Sequence, residues 1–341
     1  MHLFNIYNIV FAKNIFMGLT EPNNRWRQVK KFDLVTTGFT MVEMVRRQRG
    51  LPFTQVGDFS GPYPSGDTCI LIDVAARLGM KCCYLGKSGD DHFGRIVLDR
   101  LEKDGVDIQH VQEARGHYTP VIFVRYDLDG AREYLPIITN SACDTFTPDD
   151  IPGDEVAQSK WVHLSGEIVN MCSEGQMRKA IEKFLTSISP DSKVSLDPNF
   201  GGDISSVLDF FKPFVDRADL ILPSEGEARM LVGSNSDEEA CSLLAAQGKT
   251  IALKQGSKGC TIFSGDQRIQ IPAYHVEEVD PTGCGDSFCA GFIYGMLQEW
   301  PLEEIGRIAN ATGALQATAI GPMEGAKCLQ EVLDFIVSGK N

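Results

Sequence analysis

The sequence predicts an α/β domain with a mostly parallel sheet, helices on both faces, and a small inserted β-sheet. Three observations carry that prediction. From Phe32 onward, short β-branched or apolar runs alternate with helical patterns, the arrangement of strands joined by crossover helices. Two stretches break this rhythm and read as extended. The 341 residues, 43% hydrophobic and 23% charged, suffice for one sizeable core plus a subdomain.

In chain order the alternating segments are Asp33–Thr37, Ile70–Leu78, Cys82–Leu85, Asp91–Lys103, Trp161–Leu164, Gly175–Ser187, Lys193–Leu196, Leu220–Leu222 and Thr250–Leu253, followed by helices after Thr282 and Pro301. The interrupting stretches are Val42–Phe59 and Gly116–Pro136. In the second, Val121–Tyr126, a turn at Asp127–Gly130 and Ala131–Leu135 form a hairpin pattern. A small sheet inserted here is placed to cover a cleft at the carboxyl ends of the parallel strands, where open α/β sheets bind ligands. The expected organisation is an extension over 1–30, one domain over 31–330 with lid segments near 42–60 and 116–136, and a tail over 331–341.

A formal charge of -14 argues against nucleic acid or an anionic membrane surface as partner, because attraction to either needs a basic face. The ten cysteines are scattered without a C-x-x-C pair, which fits free thiols in a reducing, cytoplasmic setting. Met1–Phe16 is apolar with Lys13 its only Lys or Arg. It resembles neither a secretory nor a mitochondrial signal and is expected to be a non-core extension. No later apolar run approaches the roughly 20 residues that span a bilayer.

The chemistry is concentrated in Asp280-Pro-Thr-Gly-Cys-Gly-Asp-Ser-Phe-Cys-Ala-Gly-Phe292. Gly283 and Gly285, flanking Cys284, let the backbone turn tightly so that N–H groups converge at a helix N-terminus. Unsatisfied amides and the helix dipole favour anionic oxygen there, phosphate above all. Asp286, in the first turn beside that hole, is suited to take the proton from an attacking hydroxyl during in-line transfer. The spacing excludes other phosphate motifs. No G-x-x-x-x-G-K-[ST] occurs, and Phe288 stands where a dinucleotide fingerprint needs its third glycine.

This segment resembles the C-terminal signature of the PfkB/ribokinase family of carbohydrate kinases, and the resemblance runs from about Phe32 to Gly325. It implies a ribokinase-like, Rossmann-type three-layer domain with a β lid, ATP and Mg²⁺ as the phosphoryl donor system, and Asp286 as general base. Ser65–Gly79 is similar to the family element that opens a helix onto the sugar, which points to Gly66, Asp67 and Ile70 as substrate contacts. Ile70 stands where an asparagine is usual, and Asp67 has a helix cap as its alternative role. Glu43 takes the place of a sugar-binding Asp, with a solvated loop acid as its alternative. Glu167 is a further candidate in the same cleft, and Asp197-Pro-Asn199 resembles a family strand end.

Pro223–Ala228 is similar to the family Asn-x-x-Glu element, with Ser224 for Asn and Glu227 retained to organise water around magnesium or, alternatively, to cap a helix. Lys254, Gly256, Ser257 and Gly259 match the strand and turn that hold the nucleotide, and Asn310 falls on the adenine side. Asp280 and Thr282, with carbonyls around 317–321, fall where some members hold a monovalent cation, K⁺ being optional. Arg125 and Arg132 on the hairpin suggest a substrate carboxylate. The resemblance therefore implies phosphorylation of a sugar or sugar acid of the ribose, fructose or 2-keto-3-deoxygluconate class. A nucleoside kinase and a non-catalytic regulatory relative are the alternatives, and an apolar lid face would favour a homodimer.

Overall fold

The structure is a computed structural model describing residues 30–200 and 207–339; the expected N-terminal extension lies outside the described residues but for Lys30. Thirteen strands can be followed: β1 Phe32–Phe39, β2 Met41–Arg46, β3 Phe59–Ser65, β4 Cys82–Gly89, β5 Asp107–Ala114, β6 Val121–Tyr126, β7 Arg132–Ile137, β8 Ser159–Ser165, β9 Lys193–Asp197, β10 Leu220–Ile221, β11 Thr250–Lys254, β12 Cys260–Ser264 and β13 Gln267–Ile271. Nine form one sheet in the order β13-β12-β11-β10-β9-β8-β1-β4-β5. Its pairs are parallel except β11–β12 and β12–β13.

The strand period of two divides the core. Within β1, Leu34 faces one apolar layer and Val35 the other; within β8, Trp161 and Val162 divide the same way, as do Ala252 and Ile251 within β11. Burial on both faces explains why these strands read as continuous apolar runs. Helices Asp67–Arg77, Cys284–Leu297, Leu302–Gln316 and Leu329–Ser338 cover the first face. Gly175–Thr186, Leu208–Arg217 and Asp237–Ala246 cover the second. The last twelve residues before 340 are therefore not a free tail: Val332, Leu333 and Ile336 are buried in the core.

The two interrupting stretches form a separate four-stranded sheet, β3-β2-β6-β7. Strands β6 and β7 pair antiparallel with Val121 opposite Ile137 and Tyr126 opposite Arg132, and β2 runs parallel to β6. Val45, Val124 and Tyr126 give this sheet its own small core. Tyr126 also ties it to the large domain, donating its phenol proton to Asp280.

Candidate active site

The site assembles where the large sheet's strands end. Strand β8 ends at Ser165, β9 at Asp197 and β11 at Lys254, and the helices Asp67–Arg77 and Cys284–Leu297 begin facing them. Gly66 is the N-cap of the first helix, at φ +106°. Asp67 follows it and does not serve as the cap. Its carboxylate accepts from Thr68 N at 2.6 Å, from Ser165 Oγ, and from Asn199 Nδ2 at 3.3 Å. That amide also donates to Glu167 Oε2 at 3.3 Å. Asp67, Glu167, Asn199, Lys254 and Asp286 are all half-buried, as groups lining an open cleft must be.

Gly283 is the N-cap of the Cys284–Leu297 helix at φ +79°, and a Cβ there would lie 2.2 Å from the Pro322 carbonyl oxygen. Only glycine fits both the conformation and the space. Cys284 N donates weakly to Pro281 O at 3.3 Å and Ser287 N to Gly283 O at 2.9 Å. The N–H groups of Gly285 and Asp286 have no acceptor among the described residues, so these two are the donors left open to an anion. Asp286 sits one residue into the first turn.

Charge dominates the cleft. Burial, then the carboxylates of Asp67 and Asp197, raise Asp286 well above the ordinary carboxylate range. Burial and Asp67 raise Glu167 to about 8. Lys254 is the cation of this cluster: its Nζ lies 2.5 Å from Asp197 Oδ2 and 3.6 Å from where a Cβ on Gly285 would be. Burial alone would lower its pKa, but Asp197, Cys289 and Glu227 outweigh that and hold it protonated. Glu167→Gln gives a direct check. The folded protein keeps a proton on Glu167 up to about pH 8, whereas the unfolded chain releases it near the ordinary 4.5. Its stability relative to a neutral side chain is thus full below 4.5 and declines as pH rises to 8. We expect the melting temperature of Glu167→Gln to pull ahead of the wild type across that window, followed by calorimetry without substrate; a constant offset would contradict it.

Glu43 is not a solvated loop acid. It lies on β2, 5% exposed, accepting from Ser65 Oγ at 2.5 Å while its Oε2 has no protein partner. Burial raises its pKa to about 7, and it interacts electrostatically with Glu167 across the cleft. Three of the expected contact residues already have protein partners. Ile70 is 3% exposed and packs in the core, 3.2 Å from a Cβ placed on Gly283, because an apolar side chain here supports the turn from beneath. Arg125 is held by Asp127 at 2.6 Å and by Glu133 directly across the hairpin, so its fork is spent within the lid. Asn310 donates to Ile271 O at 3.2 Å and Pro272 O at 3.0 Å, bracing the exit of β13.

Two ions implied by the resemblance can be tested against the residues present. Asp197 Oδ1 is buried without a partner, and burial followed by the Asp197 charge raises the pKa of neighbouring Glu227. A free buried Asp197 oxygen with a second carboxylate nearby suits Mg²⁺, which binds through one or two carboxylates, water and substrate phosphates. Glu227 also accepts from Ser224 N at 2.6 Å and Phe200 N at 2.9 Å, so it caps its turn as well. The turn of Gly256, Ser257 and Lys258, closed by Gly259, lies beyond Lys254 and is largely exposed. The expected monovalent-cation position is already furnished with protein donors. Both Asp280 oxygens are taken, by Tyr126 and Thr282 N (3.0 Å) and by Gly321 N (2.9 Å). The Thr282 and Gly321 carbonyls are occupied by Gln316 Nε2 at 3.1 and 2.9 Å.

Asp197, Ser165 and Asn199 are the residues that sequence reasoning left without roles. The signal was available in the rule that ligands gather at strand carboxyl ends.

The cleft thus combines unpaired N–H groups at a helix N-terminus, an adjacent carboxylate and several polar side chains, an arrangement suited to phosphoryl transfer. Residues 33–327 match the model of the pfkB family carbohydrate kinases, and the chain belongs to that family. It is similar to the probable fructokinase-4 of Arabidopsis thaliana, 28% identical over 319 residues covering 89% of this chain and 96% of that one. An uncharacterized sugar kinase of Archaeoglobus fulgidus is 32% identical over 253 residues, covering 73% and 96%. A ribokinase II structure from E. coli in complex with ATP and Mg²⁺ superimposes with a TM-score of 0.83 at 31% identity, covering 89% and 98%. The protein is an ATP-dependent carbohydrate kinase with a ribokinase-like α/β fold. No described helix is long and apolar enough to cross a membrane.

Proposed function

We propose that this kinase transfers the γ-phosphoryl group of ATP to a hydroxyl of a small neutral sugar of the fructose or ribose class, with Asp286 as general base. The observation that carries this is the placement of Asp286 in the first turn beside the Gly283–Gly285 hole, facing Asp67 and Glu167. Asp67, Asn199, Glu167 and the free Oε2 of Glu43 would receive and orient the sugar hydroxyls. Gly285 and Asp286 N–H groups, with Lys254, would stabilise charge on the phosphoryl group in flight. Mg²⁺, held through Asp197 and Glu227, would neutralise charge on the ATP phosphates. Asp286 would accept the hydroxyl proton.

A neutral substrate is favoured over a sugar acid. The cleft holds the carboxylates of Asp67, Glu167, Asp197 and Asp286 around Lys254, Arg125 is bound within the hairpin, and Arg132 of the same hairpin already acts on Glu43; a substrate carboxylate would meet an excess of like charge. The test is ADP release from Mg-ATP against fructose, ribose, 2-keto-3-deoxygluconate and adenosine. The account expects the highest kcat/KM on a neutral sugar; a preference for the acid or the nucleoside would sink it.

The Gln316 amide supports turnover without potassium. Replacing KCl by tetramethylammonium chloride at equal ionic strength should change kcat/KM by no more than about twofold. Strong activation by K⁺ would show that the ion displaces the amide and that this assignment is wrong.

A further inference from the structure

The backbone that leads to the two open N–H groups is held by one side chain. Gln316 ends the Leu302–Gln316 helix and is fully buried. Its Nε2 donates to Thr282 O at 3.1 Å and to Gly321 O at 2.9 Å. Peptide planarity ties the Thr282 carbonyl to the Gly283 nitrogen and the Gly321 carbonyl to the Pro322 nitrogen. Gly283 and Pro322 are the two residues that meet where a Cβ on Gly283 would lie 2.2 Å from Pro322 O. A single amide thus fixes both sides of the contact that sets the N-cap of the Cys284–Leu297 helix. Backbone bonds complete the clamp: Val279 N and Asp280 N donate to Ala317 O at 2.8 and 3.2 Å, and Gly321 N to Asp280 Oδ2 at 2.9 Å.

This placement has a cost. Gln316 Oε1 is buried without a protein partner, and an unpaired buried polar atom is unfavourable. An apolar side chain would avoid that cost but would strand the Thr282 and Gly321 carbonyls instead. We propose that Gln316 is a positioning residue for phosphoryl transfer: its amide holds the Gly283 turn so that the Gly285 and Asp286 N–H groups and the Asp286 carboxylate meet the reacting atoms. The proposal rests on the reading of that turn as the anion hole. Gln316, fully buried, acts through Thr282 and Gly283 rather than by touching substrate. Small displacements of such a turn are expensive in rate, because donors and base must be aligned to within a fraction of an ångström. Deleting the amide leaves two carbonyls facing the vacated space beside Asp280, whose oxygens are bonded to Thr282 N and Gly321 N. That lining suits a small cation carrying N–H donors.

The test compares Gln316→Met, which fills the space without a donor, with Gln316→Ala, which opens it. Gln316→Met is expected to lower kcat about tenfold or more, with the KM values for sugar and Mg-ATP within about twofold of wild type. Gln316→Ala should show the same loss in tetramethylammonium chloride and recover most of it in ammonium chloride at equal ionic strength. Ammonium brings N–H donors to the vacated carbonyls, and tetramethylammonium brings none. The melting temperature of Gln316→Ala without substrate should rise in ammonium alone, while wild type and Gln316→Met melt alike in the two salts. An amide that served folding only would lower both melting temperatures and leave kcat at the wild-type value. That result, or a loss in Gln316→Ala that ammonium does not reverse, would overturn the proposal; should Gln316→Ala not fold, the kcat of Gln316→Met decides. The substrate-free melts hold whichever sugar is used. A wild type that forms no phosphate ester refutes the proposed activity, whereas an active wild type with equally active variants refutes the role of Gln316.

Discussion

Asp286→Asn should lower kcat about a thousandfold, within the range that a positioned general base contributes, while changing the sugar KM little. It should also raise the melting temperature. Asn keeps the shape and cannot accept the hydroxyl proton, so the loss falls on the chemical step. The stability gain has a separate origin. Asp286 has a raised pKa because burial and the Asp67 and Asp197 carboxylates oppose its charge. A group whose folded pKa lies above its unfolded value opposes folding once pH passes the unfolded value. At neutral pH the neutral amide removes that opposition. Kinetics with the preferred sugar and a thermal melt of the same preparation check both halves. A variant that is slower but less stable would indicate a structural Asp286 rather than a base placed at a cost to the fold.

Lys254→Met should be the most destabilising substitution in the cleft. Its ammonium neutralises Asp197, and both side chains are largely buried at 12% and 6% exposure. Removing one member of such a pair costs about 3–5 kcal/mol, because the other charge stays buried alone. Here the stranded Asp197 would retain only the Cys289 thiol, 3.2 Å away, as donor to Oδ2. The same ammonium lies beside Gly285, so kcat should fall by about a hundredfold or more, the scale of losing one charge-stabilising donor. Adding Asp197→Asn to Lys254→Met should recover much of the melting temperature and none of the activity. Recovery of both together would mean that Lys254 serves folding alone.

The fold was legible because its signals are local and repeated. Apolar strand runs, helical spacing and the two extended interruptions each mark an element within a few residues. The C-terminal helix is equally legible in Leu329, Val332, Leu333 and Ile336, spaced to share one face; an expectation of a tail passes over that spacing. The catalytic turn could be read because Gly283, Gly285 and Asp286 are contiguous. The proposed sugar and metal positions were harder, since Ser165, Asp197 and Lys254 come from three strands and meet only through the parallel order of the sheet. Sequence position also says little about where a side chain's bonds go. Arg125 sits opposite Glu133 once the hairpin register is fixed, and a cross-strand acid takes its guanidinium. Asn310 is claimed by two carbonyls at the end of β13, and Ile70 by the turn above it.

The most direct test of the central claim is to follow phosphorus-31 signals after mixing wild-type protein with Mg-ATP and fructose. The account predicts ADP together with a new sugar phosphomonoester in equal amounts, and neither without sugar. ADP accompanied by inorganic phosphate, with no ester on fructose or ribose, would contradict it.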